Sequence, residues 1–279
     1  MNILVCVKQV PDTTEIKIDP VTKTLIRKGV ASILNPFDSY ALEAAARLKD
    51  QDKDSKIYVL TMGPQQAVDV LRECLGMAAD VAYIATDRAF SGSDTVATSY
   101  ILSEAIKKIA TDEKIKFDAI FCGMQAIDGD TAQVGPQIAE YLDLPQLTYV
   151  LETKFNNDQL EVLRETDAGM QKVAITLPCL LTFTKPNFDP RFQTVRRRTA
   201  AKTAEIKKIS FTELPHIDQS KIGLKGSPTK VVSTAVANLK KANAVKIIEE
   251  SDHQSAQKLI HFIKEDEELY NFLEGSCSS

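Results

Sequence analysis

The chain has 279 residues, of which 26% are charged and 44% hydrophobic, and its formal net charge is −4. That length can bury a substantial core in one large or two small domains without disulfide staples, and the composition is that of an ordinary globular protein. The slight acidic balance gives no electrostatic reason to expect nucleic acid as a partner, and no apolar run approaches the ~20 residues that span a bilayer.

Met1 to Lys8 opens directly as a strand, with no basic leader and long apolar stretch, so a signal peptide is not expected and the expected compartment is the cytoplasm. Ile3 to Val7, Ile57 to Thr61, Val81 to Ile84 and Ala119 to Cys122 are continuous apolar runs, as parallel strands covered on both faces require. Helical patterns lie between them at Ser39 to Lys49, Gln65 to Met77, Thr95 to Ile109 and after Asp130. This β–α alternation predicts an α/β fold with a doubly wound, mostly parallel, Rossmann-like sheet, with ligands at the carboxyl ends of the strands.

The pattern changes after Asp143. Leu147 to Glu152, Leu160 to Glu165 and Gln171 to Thr176 read as an antiparallel meander, separated by Asn156-Asn157-Asp158 and Asp167-Ala168-Gly169, and Leu180 to Thr184 reads as a further strand. Pro186 and Pro190 end regular structure. From Val195 the chain is basic and poor in large apolar residues, which predicts an extended arm, and Lys225-Gly-Ser-Pro228 marks another break. A helix with an apolar stripe of Ala256, Leu259, Ile260, Phe262 and Ile263 is expected between Asp252 and Leu273, before a frayed tail. The expected division is therefore 1–194 as the nucleotide-binding α/β domain, 195–251 as the arm, and 252–279 as the C-terminal helix and tail.

Cys6, Cys74, Cys122, Cys179 and Cys277 are scattered and never spaced as CxxC, so buried reduced thiols are expected. His216, His253 and His261 complete no ligand spacing, and no metal site is expected. No nucleophile–base–acid arrangement appears, so any redox chemistry would have to come from a bound cofactor.

The most informative stretch runs from Cys122 to Asp143. A short apolar strand enters a turn rich in Gly, Asp and Thr, and that turn opens a helix, where unpaired N–H groups and the macrodipole favour a phosphate. Gly129 and Gly135 allow close backbone approach, Thr131 and Gln133 add side-chain donors, and Pro136 places the helix start nearby. A well-capped helix after a turn is the competing reading. GxGxxG and GxxxxGK[ST] are both missing. Ser91-Gly-Ser-Asp-Thr95 invites comparison with the SGGxDS loop of ATP pyrophosphatases, but that loop follows a first strand, and here the first strand leads to Lys8-Gln-Val-Pro11. Asp94 reads better as an N-cap, with Thr95 and Thr98 on the first helical turn, beside the glycine-rich turn. Cys6 to Gln9, Asn35 to Asp38 and Thr61 to Gly63 converge on the same edge, although Asp38 as an N-cap and Met62 as core are equally open.

Asp128-Gly-Asp-Thr-Ala-Gln-Val-Gly-Pro136 closely resembles the nucleotide-binding signature of the electron transfer flavoprotein beta (small) subunit. Val5-Cys-Val-Lys-Gln-Val-Pro-Asp-Thr13, Asn35-Pro-Phe-Asp38, Ala41-Leu-Glu-Ala-Ala-Ala-Arg-Leu48 and Met62-Gly-Pro64 resemble the same family, in order, over residues 1 to about 230. The resemblance implies cofactor contacts from Cys6, Lys8, Gln9, Asn35, Asp38, Thr61, Met62, Asp94, Thr95, Thr98, Cys122, Gly123, Gln125 and Asp128. It implies them also from Gly129, Asp130, Thr131, Ala132, Gln133, Val134, Gly135, Pro136 and Gln137. Cys6 to Thr13, Asp128 to Pro136, Ser91 to Thr98 and Gly223 to Thr229 resemble the electron-bifurcating group, which implies FAD that takes hydride from NADH rather than the AMP of the housekeeping group.

The implied partners are the alpha (large) subunit, wrapped by the arm, an acyl-CoA dehydrogenase-like or other flavin dehydrogenase, and ferredoxin or flavodoxin. The chain would then be the electron-carrier subunit of an NADH-dependent oxidoreductase complex. Phe192 and Val195, rimmed by Arg196, Arg197 and Arg198, stand where the family's recognition loop falls, and an apolar anchor in a charged rim suits a transient dock. A solvated basic loop is the alternative there. A stand-alone universal-stress-type nucleotide-binding module is the rival from another class, but it leaves the meander and arm unexplained.

Overall fold

The computed structural model describes residues 1–12, 31–156, 159–232, 247–248 and 251–265. Thr13, the turn residues Asn157 and Asp158, Cys277 and most of the expected arm beyond residue 232 lie outside them. The chain divides into two compact units, Met1–Thr234 and Ala235–Ser279.

The first unit is built on strands β1 (Asn2–Cys6), β2 (Gln9–Pro11), β3 (Ser32–Leu34), β4 (Lys56–Met62), β5 (Val81–Ala85) and β6 (Ala119–Gly123). These are followed by β7 (Gln146–Asn156), β8 (Gln159–Thr166), β9 (Gly169–Thr176), β10 (Cys179–Phe183) and β11 (Ile206–Ile209). Among the described residues, nine of these form one sheet in the order β11-β5-β4-β1-β6-β10-β7-β8-β9, while β2 and β3 make a separate antiparallel pair. From β11 to β7 every pairing is parallel, and β7-β8-β9 is the antiparallel meander expected from the sequence.

The helices are α1 (Pro36–Gln51), α2 (Val68–Met77), α3 (Thr95–Glu113), α4 (Val134–Tyr141), α5 (Val195–Thr203) and the single turn α6 (Gly223–Gly226), with α7 (Asp252–Glu265) in the second unit. Successive strand side chains point to opposite faces. Ile3, Val5 and Val7 therefore join one buried cluster with α1 and α2, while Leu4 and Cys6 join another with α3 and α4. Each fully buried Ile or Leu stabilises by about 2 kcal/mol, so continuous apolar strands suit a sheet covered on both sides.

The segment from Val195, expected to leave the core as an arm, stays in it. It forms α5 and then β11, which pairs with β5 at the sheet edge. Two arginines explain this. Arg72 of α2 donates to the carbonyls of Ala201 and Lys202 at the end of α5, at 2.6 and 2.8 Å. Arg197 of α5 donates to those of Leu75 and Ala79 at the end of α2, at 3.0 and 2.7 Å. Each helix thus satisfies the other's terminal carbonyls with a cation placed where the dipole favours it. The arginines are therefore committed inside the fold, which keeps the basic stretch from Val195 packed on α2.

Candidate nucleotide site

Cys6 stands in register with Leu60 on one side and Cys122 on the other, so β1, β4 and β6 end at one edge. The chain fills the sheet from β1 through β4 to β5 on one side, and α3 then carries it across to β6 on the other. That reversal is the topological switch at which open α/β sheets bind ligands.

The first turn of α1 ties the strand exits together. Asn35 precedes the helix and Pro36 occupies its first position, where its missing N–H costs nothing. The Asn35 side chain donates to the Gln125 carbonyl at 2.8 Å and accepts from the Ile127 N–H at 3.2 Å. Asp38 accepts from the N–H groups of Lys8 and Gly123, at 2.7 and 3.1 Å. Burial pushes the Asp38 carboxyl up to about 7, against the lowering effect of its hydrogen bonds to Asn35, Lys8 and Gly123. From the end of β1, the Lys8 ammonium reaches Asp128 at 2.6 Å, and Gln125 donates to Asp130 at 2.9 Å.

The turn itself carries positive φ at Asp130 (47°) and Ala132 (53°), an uncommon backbone for residues with a side chain. Gly129 is not at positive φ, and an added Cβ there would meet nothing within 4 Å. Gly135 has a packing reason: its Cβ would lie 2.6 Å from Cγ2 of Thr182 on β10. No side chain caps the start of α4, which leaves its first N–H groups free to meet an anion.

The start of α3 differs. Asp94 caps it by accepting from the Ala97 N–H at 3.1 Å, and it also accepts from the N–H and hydroxyl of Thr229, at 2.9 and 2.7 Å. The segment Gly223 to Thr229 is docked here, since Ser227 accepts from the Asp94 N–H and Gly223 donates to the Ser93 hydroxyl. Gly223 has φ of 61°, and a Cβ there would strike the Ala89 carbonyl. Two hydroxyl–amide bonds join the helix starts: Thr95 donates to Gln133 at 3.0 Å and Ser99 to Gln137 at 3.1 Å. Each amide oxygen accepts one of these bonds, and the Gln133 and Gln137 NH₂ groups remain as donors.

The structure thus sorts the expected residues. Lys8, Gly129, Asp130, Thr131 and Gln133 are exposed on the edge; Gln9, Met62, Thr95, Thr98, Gly123, Gln125, Asp128, Ala132, Val134, Pro136 and Gln137 are half-buried there. Asp94 is also half-buried, with its carboxylate engaged as a cap. Cys6, Asn35, Asp38, Thr61, Cys122 and Gly135 are buried, and they support the edge from beneath. The Thr61 hydroxyl has no hydrogen-bond partner among the described residues. Cys6, Cys74, Cys122 and Cys179 are free and buried. The Cys6 thiol and burial hold Cys122 well above the usual thiol range, and burial alone takes Cys179 up to about 12. Such thiols stay protonated at neutral pH.

Phe192 and Val195 are 94% and 84% exposed, with Arg196 and Arg198 exposed beside them. Arg197 is not part of that rim, because its guanidinium is committed to α2. Sequence reasoning missed the group that fastens this loop. Glu43, buried in the alanine-rich α1, accepts from the Arg191 N–H, Nε and Nη2 at 3.1, 2.8 and 3.1 Å. A carboxylate within Ala41-Leu-Glu-Ala-Ala-Ala46 was the available signal, since an apolar helix face seldom admits a charge without a partner.

The sheet order and the helices on both faces define an α/β protein of the doubly wound class, with an uncapped helix start and a positive-φ turn at its topological switch. Comparison with known proteins carries the identification further. The family model described as the electron transfer flavoprotein domain matches residues 22–214. The chain is 51% identical to the electron transfer flavoprotein subunit beta of Megasphaera elsdenii over 256 residues, 91% of this chain and 94% of that one. It is 48% identical to the caffeyl-CoA reductase-Etf complex subunit CarD of Acetobacterium woodii, covering 83% and 86% of the two chains. To Protein FixA of Azotobacter vinelandii it is 43% identical, over 90% and 89%. The chain belongs to the electron transfer flavoprotein family, as a beta (small) subunit, and its partner is the alpha subunit. Among the described residues, no helix is long and apolar enough to cross a membrane.

Proposed function

We propose that this small subunit binds FAD at the edge formed by β1, β4 and β6, accepts hydride there from NADH, and bifurcates the electron pair. One electron would go to ferredoxin or flavodoxin and the other, through the alpha-subunit flavin, to an acyl-CoA dehydrogenase-like partner. The carrying observation is the α4 start, uncapped and preceded by the positive-φ turn, joined by Thr95–Gln133 to the start of α3. The donor set fits a diphosphate: backbone N–H groups of α4, the Gln133 and Gln137 amide NH₂ groups and the Lys8 ammonium lie along one edge. FAD, when bound, supplies the two-electron and one-electron chemistry; the chain orients it and sets the charge around it. Similarity to a subunit of a caffeyl-CoA reductase-Etf complex supports a dehydrogenase-linked role.

An AMP-holding small subunit is the second reading, favoured by the Asp94 cap, which leaves α4 as the stronger anion site. The purified heterodimer, with no dehydrogenase present, decides between them. Bleaching of flavin absorbance by NADH is expected, and an unchanged spectrum in excess NADH rejects the bifurcating reading. Phe192 and Val195, with Arg196 and Arg198, would form the dehydrogenase dock. Val195→Asp should then slow electron delivery to the dehydrogenase and spare flavin reduction; equal effects on both steps would remove the dock.

A further inference from the structure

We infer that Asp38 is a positioning residue of the nucleotide edge: its carboxylate fixes the exits of β1 and β6, and through them the Lys8 side chain and the turn that leads into α4. The inference rests on the reading of this edge as a nucleotide site, whichever nucleotide it holds. Asp38 is buried and each carboxylate oxygen already accepts a backbone N–H, Oδ2 from Lys8 and Oδ1 from Gly123, so it is not placed to touch a ligand. What it touches instead are the groups leaving two adjacent parallel strands, whose register partners Cys6 and Cys122 lie two residues before Lys8 and one before Gly123.

From one exit comes Lys8, whose ammonium holds Asp128 at 2.6 Å. From the other comes the turn, whose Gln125 carbonyl and Ile127 N–H are held by Asn35, three residues before Asp38. The first turn of α1 therefore grips both exits with side chains. Gly123 is part of the same device. A Cβ there would stand 2.2 Å from Asp38 Oδ1 and 2.8 Å from the Asp38 nitrogen, so the carboxylate sits where only glycine admits it. Binding constellations lose affinity when supports let them drift by more than about 0.5 Å, and Asp38 is the carboxylate that holds the backbone N–H groups of both exits among the described residues.

The test separates affinity from stability. The heterodimer, stripped of nucleotide and held at pH 8 well below its melting point, is titrated calorimetrically with FAD and separately with AMP. Asp38→Asn presents an amide NH₂ to one of the two N–H groups, and Gly123→Ala pushes the carboxylate aside from the opposite direction. Each should weaken whichever nucleotide the wild type takes up by about tenfold or more, the effect of losing one buried charge-assisted hydrogen bond. Arg197→Ala, which loosens α2 and α5 away from this edge, should lower the melting temperature and leave nucleotide affinity unchanged.

Should either edge variant fail to fold, hydrogen exchange in the wild type gives the same answer. Peptides spanning Lys8 and Gly123 should slow on adding nucleotide, while those spanning Leu75 to Ala79 should not. Affinity retained in the folded edge variants, or exchange at Lys8 and Gly123 indifferent to nucleotide, overturns the inference. If AMP binds and FAD does not, with the same dependence on Asp38, the flavin reading fails and this inference stands.

Discussion

Arg191→Ala should cost more stability than any other single change on the loop between β10 and α5. Glu43 is only 5% exposed and Arg191 33%, so the pair is buried on one side and partly wet on the other. Removing the guanidinium deletes two charge-assisted bonds, at 2.8 and 3.1 Å, and leaves Glu43 with the Arg191 backbone N–H and with Arg47, whose Nε stands 3.2 Å away. Breaking a buried pair costs about 3–5 kcal/mol because a charge is left unpaired. Residual solvation of Arg191 and the surviving Arg47 contact reduce this to roughly 2–3 kcal/mol. The second arginine contact, to Asp50 at 2.8 Å, adds little because Asp50 is half exposed. For a unit of this size the loss should appear as a fall of roughly 5–10 °C in the melting temperature, and as the corresponding shift in urea denaturation. A cycle with Glu43→Gln isolates the pair, and the double variant should be less damaged than the sum of the two singles. A loss below about 0.5 kcal/mol, the range of ordinary surface substitutions, would refute the argument that Glu43 is a buried charge dependent on Arg191.

Arg197→Ala should destabilise by about 1–3 kcal/mol, because three hydrogen bonds to the α2 terminus are lost while water can reach part of the vacated space; an unchanged urea midpoint would contradict it. Gly135→Ala should cost about 1–3 kcal/mol through its collision with the buried Thr182, whereas Gly129→Ala should stay within about 0.5 kcal/mol, and equal effects in thermal melts would rule out the packing assignment. Asp38 gives a pH signature. Its carboxyl is raised from 3.8 to about 7 in the fold, so the native state binds the extra proton and stability contributed by this group is complete below about pH 4 and lost by about pH 7. The penalty of Asp38→Asn, measured by urea melts against wild type, should therefore shrink as pH rises across that window; a penalty that grows with pH would reverse the assigned shift.

Much of the fold was legible because its signals are local. Continuous apolar runs at β1, β4, β5 and β6, separated by helical periodicity, specify strands covered on both faces, and alternation with turn chemistry specified the meander β7-β8-β9. The position of β10 between β6 and β7 was not legible, since strand order depends on pairings between residues far apart in sequence. Nor was β11, because Ile206-Lys-Lys-Ile209 is too short and too charged to read as part of a sheet, and it is held there by the α2–α5 arginines. At the site, Gly, Asp and Thr after an apolar strand announced the turn, and Asp94 announced its cap. Which members of Asn35, Asp38 and Thr61 face a ligand depends on burial, and the structure puts all three beneath the edge.

The central claim, that the small subunit's edge is a flavin site, is tested most directly by counting nucleotides. The heterodimer is purified without added cofactor and denatured, and the released FAD and AMP are resolved chromatographically and quantified against protein. The account predicts two FAD per heterodimer and no AMP. One FAD accompanied by one AMP would contradict it and leave the edge as an adenylate site without redox chemistry of its own.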